Sequence, residues 1–419
     1  MSVQELKIKK MADLELKHKT VLTRLDINSP IDGETKRIKN DNRINMCLST
    51  LRYLKEQAAK VVIMAHQGDS LDYHNLIPLN EHAEKLTMKL GWPVDYIDDP
   101  CGPAAQAAIK ALKPGQALLL GNLRYLAEEI STFENAVKLT ASQMASTYLV
   151  RSLAPLAEAY VNDAFSAAHR NAPSMVAFQE FLPSAAGNVF FEEVSALNRV
   201  MSNPARPCLF ALGGAKISDA FGMLNQVLNN GSADAILTSG LTGNVFLMAA
   251  GVNLGSKNEE FIRDLGLGGF VSEARDHLNN HKEKIHLPVD LAYAEGGVRK
   301  EAMVENLGVN ELFCDIGQKT IESYAKAIAG AGTIFVNGPA GKYESKTFDL
   351  GTKSLFEALA NSLAYAVIGG GDTVTAAQNF IDSARLDMVC TAGGAMVQYL
   401  SGKKLPLMTA MEKAYRLKF

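Results

Sequence analysis

Short runs of Val, Ile, Leu and Ala alternate along this chain with longer segments whose apolar residues return at helical spacing. In the first half the short runs are Val21–Leu25, Val61–Ala65, Val94–Ile97, Ala117–Leu120 and Ala159–Asn162. Between them lie amphipathic segments such as Arg43–Ala59 and Asn80–Leu90. Strands separated by helices predict a parallel sheet with crossover connections. The second half repeats the plan with Cys208–Leu212, Ala235–Thr238, Ile285–Leu287, Thr333–Asn337, Tyr365–Ile368 and Met388–Cys390. Many of these end directly in glycine-rich turns. A helical pattern near Phe191–Met201, followed by Asn203-Pro204 and Arg206-Pro207, reads as a connector between two halves. The tail Leu405–Phe419 has one apolar helical face and must pack on something.

A length of 419 residues is too great for one common core and predicts two domains of similar size. A net charge of −3 gives no global field for nucleic acid or an anionic membrane, so any basic site is local. The first residues, MSVQELKIKK, are too charged for a signal peptide. The uncharged stretch Ala235–Ser256 approaches the length of a membrane span, but its Thr, Ser, Asn and Gly content reads as a buried strand, a turn and a buried helix. Five widely spaced cysteines argue against a disulfide framework or zinc ribbon and fit a reducing cytoplasm.

Open parallel sheets bind ligands at the carboxyl ends of their strands. In the first half those ends carry Arg24, Asp26, Asn28, Arg43, His66, Gln67, Arg124, His169 and Arg170. Each alone reads as a surface charge, a loop histidine or a turn residue. Together they could hold a phosphorylated carboxylic acid, because arginine meets phosphate and carboxylate oxygens bidentately. In the second half the strand ends carry Leu212-Gly213-Gly214-Ala215-Lys216, Asn337-Gly338-Pro339-Ala340-Gly341, Gly369-Gly370-Gly371-Asp372-Thr373 and Ala392-Gly393-Gly394-Ala395. Glycine lets backbone amides approach phosphate at a helix start. Lys216 supplies a point charge, and Asp372, otherwise a helix cap, could hold Mg²⁺ beside nucleotide phosphates. Neither a Walker A sequence nor a complete G-x-G-x-x-G is present. His277 and His281 stand four apart in a polar stretch, which reads as a solvated helix end rather than a metal site.

These residues resemble the phosphoglycerate kinase family. TVLTRLDINSP, with Arg24, Asp26, Asn28 and Pro30, is similar to its N-terminal signature. NDNRI, AHQG, NLRY, YVNDAFSAAHR, LGGAKISD, LPVD, DIGQKT, VNGPAGKYE, GGGDTVTA and CTAGGA follow in the family's order. TSGLTGNVF and DIGQKT look closest to archaeal members. The resemblance implies an α/β fold of two doubly wound, Rossmann-like parallel-sheet domains joined by a helix. The implied boundaries are 1–187 for a triose-phosphate domain, 188–203 for the connecting helix and 204–403 for a nucleotide domain, with 404–419 packing back on the first.

It implies reversible transfer between 1,3-bisphosphoglycerate and MgADP, giving 3-phosphoglycerate and MgATP, by direct in-line displacement with hinge closure in a monomer. The triose positions would be Asp26, Asn28, Arg43, His66, Arg124, His169 and Arg170. The nucleotide positions would be Gly214, Ala215, Lys216, Gly240, Gly317, Asn337, Glu344, Gly371, Asp372 and Thr373. Arg43, Lys216 and Gly371 would act on the transferring group, Glu344 would meet the ribose and Asp372 would anchor Mg²⁺. Four positions depart from the family: Asp69 where an arginine is usual, Gly121 for Glu, Ala220 for Lys and Ala392 for Gly. Asp69 predicts weakened 3-phosphoglycerate affinity or another acid, unless His74 takes over the contact. The alternatives are a kinase of the same fold acting on a different carboxylate or acyl phosphate, and a nucleotide-binding paralogue with reduced activity.

Overall fold

The computed structural model describes residues 6–68 and 76–417. Asp69 and His74 lie outside the described residues. The chain forms two compact units. One takes in the described chain as far as Ser195 and resumes at Lys404; the other is Ala196–Lys403. A single helix, Asn188–Ser202, therefore gives its first half to one unit and its second half to the other.

The first unit is built on six parallel strands: β1 (Thr20–Leu25), β2 (Lys60–Met64), β3 (Val94–Tyr96), β4 (Ala117–Leu119), β5 (Ala159–Asp163) and β6 (Ser184–Ala186). Their order is β3-β4-β2-β1-β5-β6. β1 is buried along its whole length between β2 and β5, with Arg24 opposite both Met64 and Asn162. Its sequence, TVLTRL, accordingly shows no polar-out alternation, and Thr20, Thr23 and Arg24 are buried along with its apolar residues. Neighbouring β1 and β5 send their connections to opposite sides, to β2 and β6. A crevice opens where the order reverses, and it receives the loops after β1 and β5.

The second unit repeats this with β7 (Cys208–Leu212), β8 (Ala235–Thr238), β9 (Ile285–His286), β13 (Thr333–Asn337), β14 (Tyr365–Gly369) and β15 (Met388–Cys390), ordered β15-β14-β13-β7-β8-β9 and all parallel. Its switch point lies between β7 and β13. A smaller antiparallel sheet joins β10 (Asp290–Glu295), β11 (Val298–Met303) and β12 (Asp315–Ile316). Gly296 and Gly297, both at positive φ, make the two-residue β10–β11 turn.

Eleven strands expected from the pattern are present; β6 and the antiparallel sheet are additions. Ser184–Ala186 is too short and small to signal a strand. The β10–β11 hairpin does carry a signal in the sequence, the pair Gly296-Gly297. The segment Arg43–Ala59 is two helices, Asn42–Met46 and Leu48–Glu56, meeting at Cys47. Ala235–Ser256 contains β8 and the helix Gly240–Ala249. Among the described residues no helix is long and apolar enough to cross a membrane. His277 is not solvated as expected: it is buried against the Phe221 ring, 5.8 Å between centroids, and burial lowers its pKa.

The tail forms the helix Pro406–Arg416, which buries Leu407, Met408, Ala410, Met411 and Ala414 in the first unit. Leu407 donates its backbone N–H to the Ala168 carbonyl, and Lys413 pairs with Glu180 at 2.7 Å.

Candidate active site

In the first unit, residues at the ends of β1, β2, β4 and β5 form one connected cluster. Asp26, just beyond β1, accepts hydrogen bonds from Arg43 Nη1 and from Ser166 Oγ beyond β5, so it spans the switch point. Burial pushes its carboxyl up, but Arg43 above all, with the Ser166 hydrogen bond and Arg24, holds it below the usual range. Arg24 is buried; its Nη2 donates to His66 Nδ1 at 2.8 Å and its Nε to Ser174 Oγ at 3.3 Å. Burial, then Arg24 and Arg124, drive the His66 pKa well down, so the ring is neutral. With Nδ1 accepting from Arg24, its proton sits on Nε2, leaving that nitrogen a donor. Asn28 Oδ1 accepts from the Gly68 amide at 3.1 Å.

Arg124 and Arg170 meet at the backbone carbonyl of Glu129, at 2.6 and 3.5 Å. The Glu129 carboxylate accepts from Ser174 N and Oγ at 2.7 and 2.6 Å. Arg170 Nε also donates to Glu134 at 2.6 Å. His169, beside Arg170, is half-buried and has its pKa lowered by burial. All seven expected triose residues therefore lie in this cluster or directly beside it. Sequence reasoning missed Ser166, Ser174, Glu129 and Glu134. Four guanidinium groups are balanced by three carboxylates, so the cluster is less basic than its arginines suggest. Glu129 and Glu134 are not legible in advance, because they meet Arg170 and Ser174 only when the chain folds back across 36 to 45 positions.

In the second unit the turns after β7 and β13 press together at the switch point. Gly213 donates to the Asn337 carbonyl at 2.9 Å and Gly214 to that of Pro339 at 2.8 Å. A Cβ on Gly213 would strike the Pro339 oxygen, and one on Gly338 the Gly213 oxygen. The glycines therefore serve this close packing as well as any ligand. Around it lies a cavity of about 180 Å³ lined by Gly214, Lys216, Asn337, Gly371, Asp372, Thr373, Gly393 and Gly394 among others. Helices begin at Ile217, Gly371 and Gly393, so several sets of unpaired amides surround it. Lys216 Nζ lies 3.1 Å from Asp372 Oδ2, both well exposed. Thr373 Oγ1 accepts from the Gly338 amide at 2.7 Å.

An adjoining cavity of about 390 Å³ is mainly apolar. Gly214, Ala215, Gly240, Glu344 and Asp372 line it with Leu241, Phe261, Ile262, Leu312, Phe313 and Tyr343. Phe261 and Leu312 are exposed apolar side chains at its rim. No motif flagged this wall, since Phe261, Leu312 and Tyr343 come from three distant segments. Gly317 lines neither cavity; it packs on the Asp290 carboxylate.

Gly121 and Ala220, two of the departures, have packing explanations. A Cβ on Gly121 would lie 2.8 Å from the Asp99 amide nitrogen, and Ala220 is buried on the packed face of the helix Ile217–Asn229. Ala392 is likewise buried.

Among the described residues no group of three His, Cys, Asp or Glu could cage a metal. One exposed carboxylate at a phosphate-sized cavity instead fits Mg²⁺, which takes one or two protein carboxylates and completes its shell with substrate phosphates and water.

The phosphoglycerate kinase family profile matches residues 11–403. The chain is 41% identical to the phosphoglycerate kinase of Methanobacterium bryantii, over 94% of this chain and 95% of the relative. It is 40% identical to that of Methanococcus maripaludis, over 96% and 97%. Among solved structures it resembles phosphoglycerate kinase from Pyrococcus horikoshii, with TM-score 0.86, 36% identity and coverage of 97% and 99%. It also resembles the Coxiella burnetii enzyme, with TM-score 0.81, 31% identity and the same coverage.

Proposed function

The chain belongs to the phosphoglycerate kinase family, and from that premise we propose which of its residues perform the family's reaction. It is an enzyme that transfers a phosphoryl group reversibly between 1,3-bisphosphoglycerate and ADP, giving 3-phosphoglycerate and ATP. In the forward direction an ADP β-phosphate oxygen bonds to phosphorus while the bond from phosphorus to the carboxyl oxygen breaks. The leaving group is a carboxylate that needs no proton. Catalysis then rests on positioning and on stabilising charge on the equatorial oxygens.

The triose side is assigned to Asp26, Asn28, Arg43, His66, Arg124, His169 and Arg170. Arg43 is the group on the transferring phosphoryl, held in place by its ion pair with Asp26. The neutral His66 donates from Nε2 to a triose oxygen. The nucleotide side is assigned to Gly214, Ala215, Lys216, Gly240, Asn337, Glu344, Gly371, Asp372 and Thr373. The apolar cavity takes the base, Glu344 at its wall takes the ribose, and the glycine-lined cavity takes the phosphates. Gly317 belongs to this group only through its sequence motif. Mg²⁺ bound with the nucleotide supplies further positive charge to the phosphates, with Asp372 as its protein anchor. Lys216 and the Gly371 amide contact the phosphates directly. The observation that carries this assignment is the Lys216–Asp372 pair at the mouth of a cavity ringed by helix starts.

Both ligand sets are carried by one polypeptide, so a monomer suffices for the chemistry. All five thiols are free, in keeping with a cytoplasmic setting.

A coupled assay with ADP and 1,3-bisphosphoglycerate tests the activity. Arg43→Ala is expected to lower kcat by a factor on the order of 10² or more with the fold intact. A loss of only a few-fold would show that another group serves the transferring phosphoryl.

A further inference from the structure

Gln67 follows His66 at the end of β2, and almost nothing of it reaches solvent (2% exposed). Each of its polar groups nevertheless has a partner. Its backbone N–H donates to Asn122 Oδ1 at 3.1 Å, and its carbonyl accepts from Asn122 Nδ2 at 2.9 Å. Its side-chain Nε2 donates to the Ser29 carbonyl at 2.9 Å, and its Oε1 accepts from the Ser29 amide at 2.9 Å. His82 Nε2, on the helix Asn80–Leu90, lies 3.0 Å from the same Oε1. The paired bonds to Ser29 fix the amide orientation, because a flipped amide would set its NH₂ against the Ser29 N–H. His82 is fully buried and burial lowers its pKa to about 4, so it is neutral and donates from Nε2.

The three segments joined here are the loops after β1, β2 and β4. Ser29 adjoins Asn28, Gln67 adjoins His66, and Asn122 accepts the Arg124 amide at 3.0 Å. We propose that the Gln67 side chain is a positioning group that locks the loops after β1 and β2 in register, and so sets the placement of Asn28 against His66 for the triose ligand. The β4 loop is tied in separately, by the Asn122 side chain on the Gln67 backbone. The inference rests on the assignment of Asn28 and His66 to the triose side, and it deepens that assignment by naming what holds them.

The test uses the full-length enzyme and measures KM for 3-phosphoglycerate and for ATP separately. Gln67→Met keeps the volume and removes the side-chain hydrogen bonds. It is expected to raise the triose KM roughly tenfold, about the worth of one buried hydrogen bond, while the ATP KM stays within about twofold. Gln67→Glu is the sharper variant. An ionised carboxylate cannot donate to the Ser29 carbonyl, whereas a protonated one can replace the amide, and burial favours its protonation. Its triose KM is expected to be raised at about pH 8 and to return toward the wild-type value at about pH 6, with the wild type measured in parallel. The Glu variant keeps the test open if the Met variant does not fold. Equal changes in both KM values, or a Gln67→Glu effect that does not vary with pH, would overturn the proposal. Asn28→Ala checks the underlying site: an unchanged triose KM there would remove the site assignment itself, while a raised KM with silent Gln67 variants would remove only the positioning role.

Discussion

A methyl group at Gly338 and one at Gly371 have opposite fates. Gly338 sits at φ +90°, and its Cβ would enter the Gly213 carbonyl. Gly371 opens a helix with nothing within 4 Å of a Cβ. Gly338→Ala is therefore expected to cost about 1–3 kcal/mol of stability and to lower the melting temperature. Gly371→Ala should leave the melting temperature unchanged and act on turnover alone, by crowding the phosphates. Comparing melting curves with kinetics for the two variants separates packing glycines from ligand glycines. An unaltered melting temperature for Gly338→Ala would contradict the close packing of the two turns. The sequence announced both glycines in the same way, as members of glycine-rich turns. It could not sort them, because the sorting depends on which turn lies opposite. The same holds for Glu129, an unremarked acid in the sequence that gathers Arg124, Arg170 and, through Ser174, Arg24.

At the level of elements, the connecting helix begins on a buried carboxylate. Asp163, the last residue of β5, accepts from the Phe190 amide at 2.9 Å in the helix's first turn. Gly187 leaves room for it, since a Cβ there would enter the carboxyl group. A negative charge at a helix start is favourable, yet Asp163 Oδ2 is buried without a hydrogen-bond partner. Burial wins, and the pKa rises to about 6 from an ordinary 3.8. Because the folded state holds the proton more tightly, this residue's contribution is full below about pH 4 and is lost as pH rises through 6. Asp163→Asn mimics the protonated form at every pH. Its stability relative to wild type should climb by up to about 3 kcal/mol between pH 4 and 7 and then level off. Urea unfolding of both proteins across that range reads the difference; a flat difference would mean the carboxyl is ionised at little cost. Element existence was readable from apolar runs and turn residues, as the match at Asn80–Leu90 and β7 illustrates. Apolar periodicity alone showed only Phe191–Met201 of the connecting helix, because Asn188–Phe190 join it through the contact with Asp163.

On the scale of the whole molecule, one unit is continuous in sequence and the other is not. The helix Pro406–Arg416 buries one leucine and two methionines almost completely. At about 1.5–3 kcal/mol per side chain, that burial approaches the total stability of an ordinary domain, roughly 5–15 kcal/mol. Ending the chain after Lys403 is thus expected to leave the first unit unfolded or readily digested, while the second still binds ATP. Limited proteolysis combined with calorimetric ATP titration distinguishes the two. A truncated protein resisting protease over 6–195 would show that the tail is dispensable. The apolar stripe of Leu405–Phe419 made packing of the tail foreseeable, but only the fold shows that it rests on Ala168 and Glu180.

That arrangement bears on how the polypeptide is made. Nascent chains ordinarily settle from the front end backwards. Here the opening lobe lacks its closing piece until the segment from Lys404 onward has been made. The ribosome must add the roughly 200 residues between Ser195 and Lys404 first, on the order of 10–40 s at usual elongation speeds. During that interval the later lobe can mature while the earlier one waits with an apolar seam uncovered, the stage at which a chaperone would have most to grip.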